Sequence, residues 1–331
     1  MPKVSVILPV YNAERYIGEC LRSLLDQTER DIEVIAVDDG SRDSSGAILD
    51  SCADKRLRVV RHERNQGLTA SLNDGLAAAD GEYLARMDAD DVCLPSRLER
   101  QSAFLDLNAE IGICGTWARR IGDAKGLLAH PARHEEIDAR HLFDAALAHP
   151  TVMMRGEVMR ANGLRYADFL HEDLHLWRLA AGVTRFANLP EPLLLYRVHP
   201  ANLTGNAENR PELEVSVARS DAFVLSELGI APTSEDLALH QRLRRGSGVS
   251  VDAAEAWLLK LKSAGELSGR YTAPEFDSVL ADRWFQACYT APGAVAAKWR
   301  RMLASPLSAG LNLSAAAAAK FHLRPLLKRS A

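Results

Sequence analysis

Short apolar runs and amphipathic stretches alternate along the first third of the chain. Lys3 to Leu8 is mostly apolar and β-branched and stops at Pro9, which predicts a buried strand followed by a loop, Pro9–Asn12. Ile17, Cys20, Leu21, Leu24 and Leu25 then recur at helical spacing and mark one face of a helix. Ile32 to Val37 is a second strand, ending in the turn Asp38–Ser41, and Asp43 or Ser44 can cap the helix carrying Ala47, Ile48 and Leu49. A third strand at Leu57–Val60, a helix at Leu68–Ala79, a fourth strand at Glu82–Met87 and a helix at Ser96–Leu107 complete four strand–helix alternations. Such alternation predicts a mostly parallel sheet with helices on both faces, an α/β fold of Rossmann-like type.

Beyond this the pattern loosens. Ile111–Trp117 reads as a fifth strand, His134–Leu147 as a helix, and His149–Met154 as an extended run. Asn162-Gly163 is a turn, Glu172-Asp173 open a helix ended by Gly182, and Thr184–Ala187 and Leu193–Arg197 are separate short strands. After about residue 206 the strand signals vanish and Ala-, Leu- and charge-rich helices follow, as at Val215–Leu228 and Ala253–Lys262. The expected division is 1–205 and a helical C-terminal region, 206–331.

In parallel sheets ligands bind beyond the carboxyl ends of the strands. Three polar stretches fall there: Pro9–Asn12, Asp38–Ser41 and Asp88–Asp91. The last places Asp88, Asp90 and Asp91 together, a cluster that repels itself unless a cation or water lies between the oxygens. Hard oxygen ligands suit Mg²⁺ or Mn²⁺. An isolated acidic turn ahead of a helix is more often a solvated cap; three polar strand ends on one edge make a pocket. No G-x-G-x-x-G follows the first strand and no P-loop sequence exists, so a nucleotide here must be held by side chains and a metal.

Composition narrows the reading. At 331 residues with 47% hydrophobic and 6% aromatic content, the chain can bury a sizeable core. A net charge of −4 excludes a generally basic nucleic-acid binder. The five cysteines are widely spaced with no C-x-x-C pair, so they read as buried thiols of a reducing cytosol. No signal peptide precedes the first strand, and no apolar run is long enough to span a bilayer. After Asp282 there is no acidic residue but eight basic ones, Arg283, Lys298, Arg300, Arg301, Lys320, Arg324, Lys328 and Arg329. Trp299, Met302, Leu303 and Leu311 are interleaved with them. That suits either an amphipathic surface on anionic lipid or a solvated basic tail.

The segments Val6-Ile-Leu-Pro-Val-Tyr-Asn12, Val37-Asp-Asp-Gly-Ser41, Asn65-Gln-Gly-Leu68, Arg86-Met-Asp-Ala-Asp-Asp91, His149-Pro-Thr151 and Glu172-Asp173…Leu176-Trp177 occur in that order. Together they resemble family 2 of the inverting glycosyltransferases, with the GT-A fold, as in bacterial enzymes of surface-polysaccharide assembly. The resemblance covers residues 3 to about 200. It implies a nucleotide-diphosphate sugar donor, a UDP-sugar favoured, and a glycan or lipid-linked acceptor at the inner face of the cell membrane. By the same resemblance Pro9, Tyr11, Asp38, Asp39 and Asn65 belong to the nucleotide side, with Asp39 accepting the uracil imide N–H. Asp88 matches a ribose or sugar contact and Asp90 the metal ligand beside the diphosphate. His199 resembles a downstream histidine that closes over the metal or the diphosphate in some members. Asp173 matches the general base, with Glu172 orienting it or touching the acceptor.

Plainer readings stand beside these: Glu172-Asp173 is also what a helix start favours, and Pro9 and Tyr11 can simply shape a turn. Two departures matter. Asn162–Asp168 carries a single glycine where many relatives have two. The Q-x-x-R-W motif of processive polymerases is missing, since Leu280 stands where its glutamine would precede Arg283-Trp284, so transfer of one sugar is expected. A sugar nucleotidyltransferase, which usually opens with a glycine-rich basic loop, and a non-catalytic nucleotide-sugar scaffold are the alternatives.

Overall fold

The computed structural model describes residues 1–168, 171–200, 210–246 and 248–311, without the side chains of 210–213. The chain forms two compact units, one of residues 1–137 and 145–216, the other of 138–144 and 217–331. The boundary expected at 205/206 lies outside the described residues.

The first unit is built on one sheet. β1 (Val4–Val10), β2 (Ile32–Asp38), β3 (Leu57–Arg61) and β4 (Tyr83–Arg86) run parallel in the order β3-β2-β1-β4. β5 (Val92–Cys93), β6 (Ile111–Gly122), β7 (Gly126–Leu128), β8 (Met153–Arg155) and β9 (Arg185–Val198) complete the sheet. β8 lies antiparallel between β4 and β6, while β6 and β9 pair in parallel over most of their length. Most paired residues therefore lie in parallel ladders.

Alternation along β1 sends its side chains to two cores. Val4, Val6, Leu8 and Val10 join Ile17, Cys20 and Leu24 of α1 (Ile17–Leu25) and Leu98 and Leu105 of α4 (Arg97–Leu107). Ile7 faces the other side, with Leu72 of α3 (Leu68–Ala78), Met159 of α6 (Gly156–Ala161) and Trp177 of α7 (Glu172–Ala180). α2 (Ser45–Ser51) has Ser44 at its N-cap, and Asp43 Oδ1 accepts the Ser45 N–H at 2.9 Å.

The later elements differ from the periodicity. The two short strands expected after Gly182 are one strand, β9, whose register against β6 shifts near Thr116 and Trp117. Pro190 and Pro192 lie in that stretch; a proline gives no N–H to a ladder, and the irregularity absorbs them. His149–Thr151 is a 3₁₀ turn rather than an extended run. Pro150 sets its backbone, and Thr151 Oγ1 closes it onto the Ala148 carbonyl at 2.7 Å. The helix α5 (His134–His141) stops short of the expected Leu147, because Ala139, Leu142 and Phe143 enter the second unit's core.

The second unit is helical: α8 (Arg210–Glu227) from Val217 on, α9 (Ser234–Arg245), α10 (Val251–Ser268), α11 (Ala273–Thr290) and α12 (Val295–Ala304). Its core centres on Trp257, Leu261, Leu280 and Trp284. Trp284 is fully buried, its indole N–H on the Met302 carbonyl at 3.1 Å, so the Arg-Trp pair is structural here. Met302 is buried and Trp299 packs on the same core, whereas Leu303 of α12 is 52% exposed. Among the described residues no helix is long and apolar enough to cross a bilayer.

Candidate active site

The three polar loops meet at one edge of the parallel sheet. Val10 pairs with Asp38 and Ile7 with Arg86, so β1, β2 and β4 end together. The chain goes from β1 to β2 on one side and later to β4 on the other, so the crevice at these ends is a topological switch point.

On the β1–β2 side, Pro9 is buried within β1 and Tyr11 stands 47% exposed just beyond it. Asn12 takes a left-handed backbone (φ 49°) and its Oδ1 accepts the Arg42 N–H at 2.9 Å. Asp38 is buried and caps its own turn by accepting the Ser41 N–H at 3.0 Å. Asp39 accepts the backbone N–H groups of Gln66 (2.7 Å) and Gly67 (2.9 Å), one on each oxygen. His62 adds a third bond to the same Oδ1 at 2.7 Å and reaches Asp74 through its other ring nitrogen at 2.8 Å. Of roughly four acceptor sites on a carboxylate, three are thus taken. Asn65 is exposed in the turn that Asp39 anchors.

After β4 the acidic turn gathers Asp88, Asp90 and Asp91, with one carboxylate oxygen of each within 4.8 Å of the others. Asp88 pairs with the buried guanidinium of Arg86. Asp90 faces His199, Oδ2 to Nε2 2.8 Å, which joins the end of β9 to the turn. Burial and the Asp88 charge hold the Asp90 carboxyl above its ordinary range. The same causes act more strongly on Asp91, which is 1% exposed. Asp91 Oδ1 accepts the Arg197 N–H at 2.7 Å, whereas its Oδ2 is buried with no hydrogen-bond partner among the described residues. A buried carboxylate oxygen without a donor is costly unless a cation meets it. The oxygen-rich set with one imidazole therefore fits Mg²⁺ or Mn²⁺.

A buried scaffold fixes this turn. Arg97, fully buried, donates from Nη2 to the Arg86 carbonyl at 2.7 Å and from Nε to Gln101 at 3.0 Å. Gln101 in turn donates to the Thr151 carbonyl at 2.9 Å, tying the acidic turn to the His149–Thr151 turn. His149 lies against Glu172, Nδ1 to Oε1 3.4 Å, and its Nε2 meets the Tyr166 hydroxyl at 2.9 Å. Burial pushes the Glu172 carboxyl up to about 8 and the imidazole of His149 well below its usual value. Both shifts favour the uncharged forms, a protonated Glu172 beside a neutral imidazole. Asp173, half-buried in the first turn of α7, accepts the Leu174 N–H on Oδ1 at 2.7 Å.

The structure thus brings Asp88, Asp90, Asp91 and His199 into one cluster, Asp38 and Asp39 into a second, and Glu172 and His149 into a third. Arg86, Arg97, Tyr166, His62 and Arg197 are positioning residues that periodicity did not reveal. A buried arginine has no local signal; only Arg86, inside its motif, was in view.

Comparison with known proteins agrees with this geometry. The sequence profile described as "Glycosyl transferase family 2" matches residues 5–156. A Haemophilus influenzae protein described as an uncharacterized glycosyltransferase is 33% identical over 247 residues, spanning 69% of this chain and 76% of the relative. Glycosyltransferase GlyG of Streptococcus pneumoniae is 30% identical over 245 residues, 68% of this chain and 78% of GlyG. Among solved structures, S. aureus TarS 1–349 in complex with UDP-GlcNAc superposes with a TM-score of 0.59 at 22% identity, covering 86% of this chain and 81% of that one. The mannosyltransferase PcManGT from Pyrobaculum calidifontis, in complex with GDP-Man and Mn²⁺, gives 0.52 at 18% identity, over 86% and 87%. The fold is GT-A.

Proposed function

This chain belongs to glycosyl transferase family 2, and from that premise we propose that it is a divalent-metal-dependent, inverting glycosyltransferase. It moves one hexosyl or N-acetylhexosaminyl unit from a nucleotide-diphosphate sugar, a UDP-sugar by preference, to a hydroxyl of a glycan or lipid-linked acceptor in surface-polysaccharide synthesis. The observation that carries the reading is the orphaned Asp91 Oδ2 inside a carboxylate cluster that His199 closes, at the switch point of a parallel sheet. The complexes of TarS with UDP-GlcNAc and of PcManGT with GDP-Man and Mn²⁺ support a nucleotide-sugar donor and a divalent cation.

In this reading Tyr11 and Pro9 flank the base, and Asp39 accepts a ring imide N–H. Asp38 and Asn65 shape the same side, and Asp88 contacts the ribose or sugar. Asp90 and His199 hold Mn²⁺ or Mg²⁺, which when bound neutralises charge on the leaving nucleoside diphosphate. Asp173 takes the proton of the acceptor hydroxyl as it attacks the anomeric carbon from the opposite face. Glu172, kept neutral by burial, places no second negative charge beside that base. A single displacement inverts the centre. Residues 1–205 form the donor-binding and catalytic domain, and 206–331 face the acceptor or the membrane, with peripheral contact at the cytoplasmic face.

The test is a binding and hydrolysis screen of UDP-, GDP- and dTDP-sugars, with Mn²⁺ and with chelator. Metal-dependent binding of one donor, lost in Asp90→Ala, is the expected result. No binding of any donor under either condition overturns the reading.

A further inference from the structure

The start of α1 touches the candidate cation site at several points. Tyr16, Glu19 and Cys20 are spaced to share one helical face. The Tyr16 ring stacks on His199, with centroids 5.2 Å apart and planes at 23°. The Arg197 guanidinium lies over the same ring at 4.9 Å. Glu19 accepts from Arg197 Nη2 at 2.7 Å. Arg197 in turn donates from Nε to the Asp90 carbonyl at 2.7 Å and from its backbone N–H to Asp91 Oδ1 at 2.7 Å. The Cys20 thiol donates to the Asp88 carbonyl at 3.3 Å.

Each acidic residue of the turn is therefore tied, directly or through Arg197, to this one face. The Arg197 N–H engages one oxygen of Asp91 and leaves the other as the orphan. Tyr16 limits the tilt of the imidazole that meets Asp90. Glu19 is exposed and lies on the surface, so its ion pair with Arg197 contributes little to folding. What it fixes is the orientation of a guanidinium that also meets the ring and the Asp90 carbonyl.

We propose that the first turn of α1 is the outer shell of the cation site: Tyr16 and Glu19, acting through Arg197 and His199, set how tightly Asp90 and His199 hold a divalent cation. The proposal rests on the metal role given above to Asp90 and His199. Outer-shell partners fix ligand orientation, and their loss typically weakens metal binding roughly 10- to 100-fold. Tyr16 and Glu19 are positioning residues, since neither supplies a donor atom to the carboxylate cluster. The same segment begins at Tyr11 and Asn12, so the loop at the nucleotide side and the cation shell are one continuous piece of chain.

The test uses the full chain and Mn²⁺ alone, without nucleotide, with free Mn²⁺ followed by electron paramagnetic resonance. Tyr16→Ala is expected to weaken Mn²⁺ binding by roughly tenfold or more, and Glu19→Gln, which removes an exposed ion pair one step further out, by roughly two- to fivefold. Tyr16→Phe, which keeps the stacking ring, is expected to bind as the wild type does. Glu19→Gln, at an exposed site, keeps the measurement interpretable if Tyr16→Ala folds poorly. Wild-type Mn²⁺ affinity in both Tyr16→Ala and Glu19→Gln, alongside loss in Asp90→Ala, overturns this inference and leaves the metal site standing. Equal loss in Tyr16→Phe and Tyr16→Ala overturns the stacking role. Undiminished binding in Asp90→Ala overturns the metal reading itself.

Discussion

Single residues decide the proposed chemistry. Asp173 and Glu172 are neighbours in sequence with opposite environments. Asp173 is half-buried with one oxygen on the Leu174 N–H, whereas Glu172 is 7% exposed against a neutral His149. Asp173→Asn is expected to cut transfer by about 10²–10⁴-fold while donor affinity, measured by calorimetry, is unchanged. Glu172 gives a pH signature. Its carboxyl sits near 8 in the folded chain against an ordinary 4.5, so the native state holds a proton that the unfolded chain releases. Stability attributable to this group therefore falls as pH rises from about 4.5 through about 8, by on the order of a few kcal/mol. Glu172→Gln removes that loss. Its melting temperature relative to wild type is expected to rise between pH 5 and pH 9, and a flat difference would refute the protonated state.

At the scale of elements, periodicity located the first four strands and their helices because each buries a face of its own. It did not locate the join of β9, where prolines interrupt the pattern, or the end of α5, where the chain passes into another core. Close packing supplies a test here. Gly75 of α3 lies over β1, and a Cβ there would stand 2.5 Å from Ile7 Cγ2. Alanine gains up to about 1 kcal/mol in helix propensity over glycine. Overpacking costs typically about 1–3 kcal/mol, and Ile7 is 1% exposed with little room to yield. Gly75→Ala is therefore expected to lower stability by about 1–2 kcal/mol in urea titration, despite the better helix former. In the second unit, Thr233 caps α9 in a reciprocal box with Asp236, so Thr233→Ala is expected to cost about 1 kcal/mol in the same measurement.

Across the whole molecule, the basic excess after Asp282 divides into three groups. Lys298 and Arg300 donate to backbone carbonyls of their own region. Arg283 pairs with Asp144, and Arg301 with Asp252 (2.7 Å) and Glu255 (2.6 Å), so these charges have acidic partners earlier in the sequence. Lys320, Arg324, Lys328 and Arg329 lie outside the described residues. If the chain meets the membrane as proposed, these four carry the attraction, each worth about 1 kcal/mol near an anionic surface. Replacing all four with glutamine is expected to abolish cosedimentation with phosphatidylserine vesicles at low salt, while Arg301→Gln leaves it intact.

The sequence by itself determined the alternation of strands and helices, the three polar loops at strand ends, and the ordered motifs that resemble family 2. These are written in side-chain period and turn chemistry, which act over a few residues. Tertiary structure alone decided which distant groups meet: His199 on Asp90 across 109 positions, Arg197 on Glu19 across 178, and Gln66 and Gly67 on Asp39. It also set the protonation of Glu172, since nothing in a Glu-Asp pair says which carboxyl is dry. Sheet register and burial fix these encounters, and both arise only when the apolar faces have found one another.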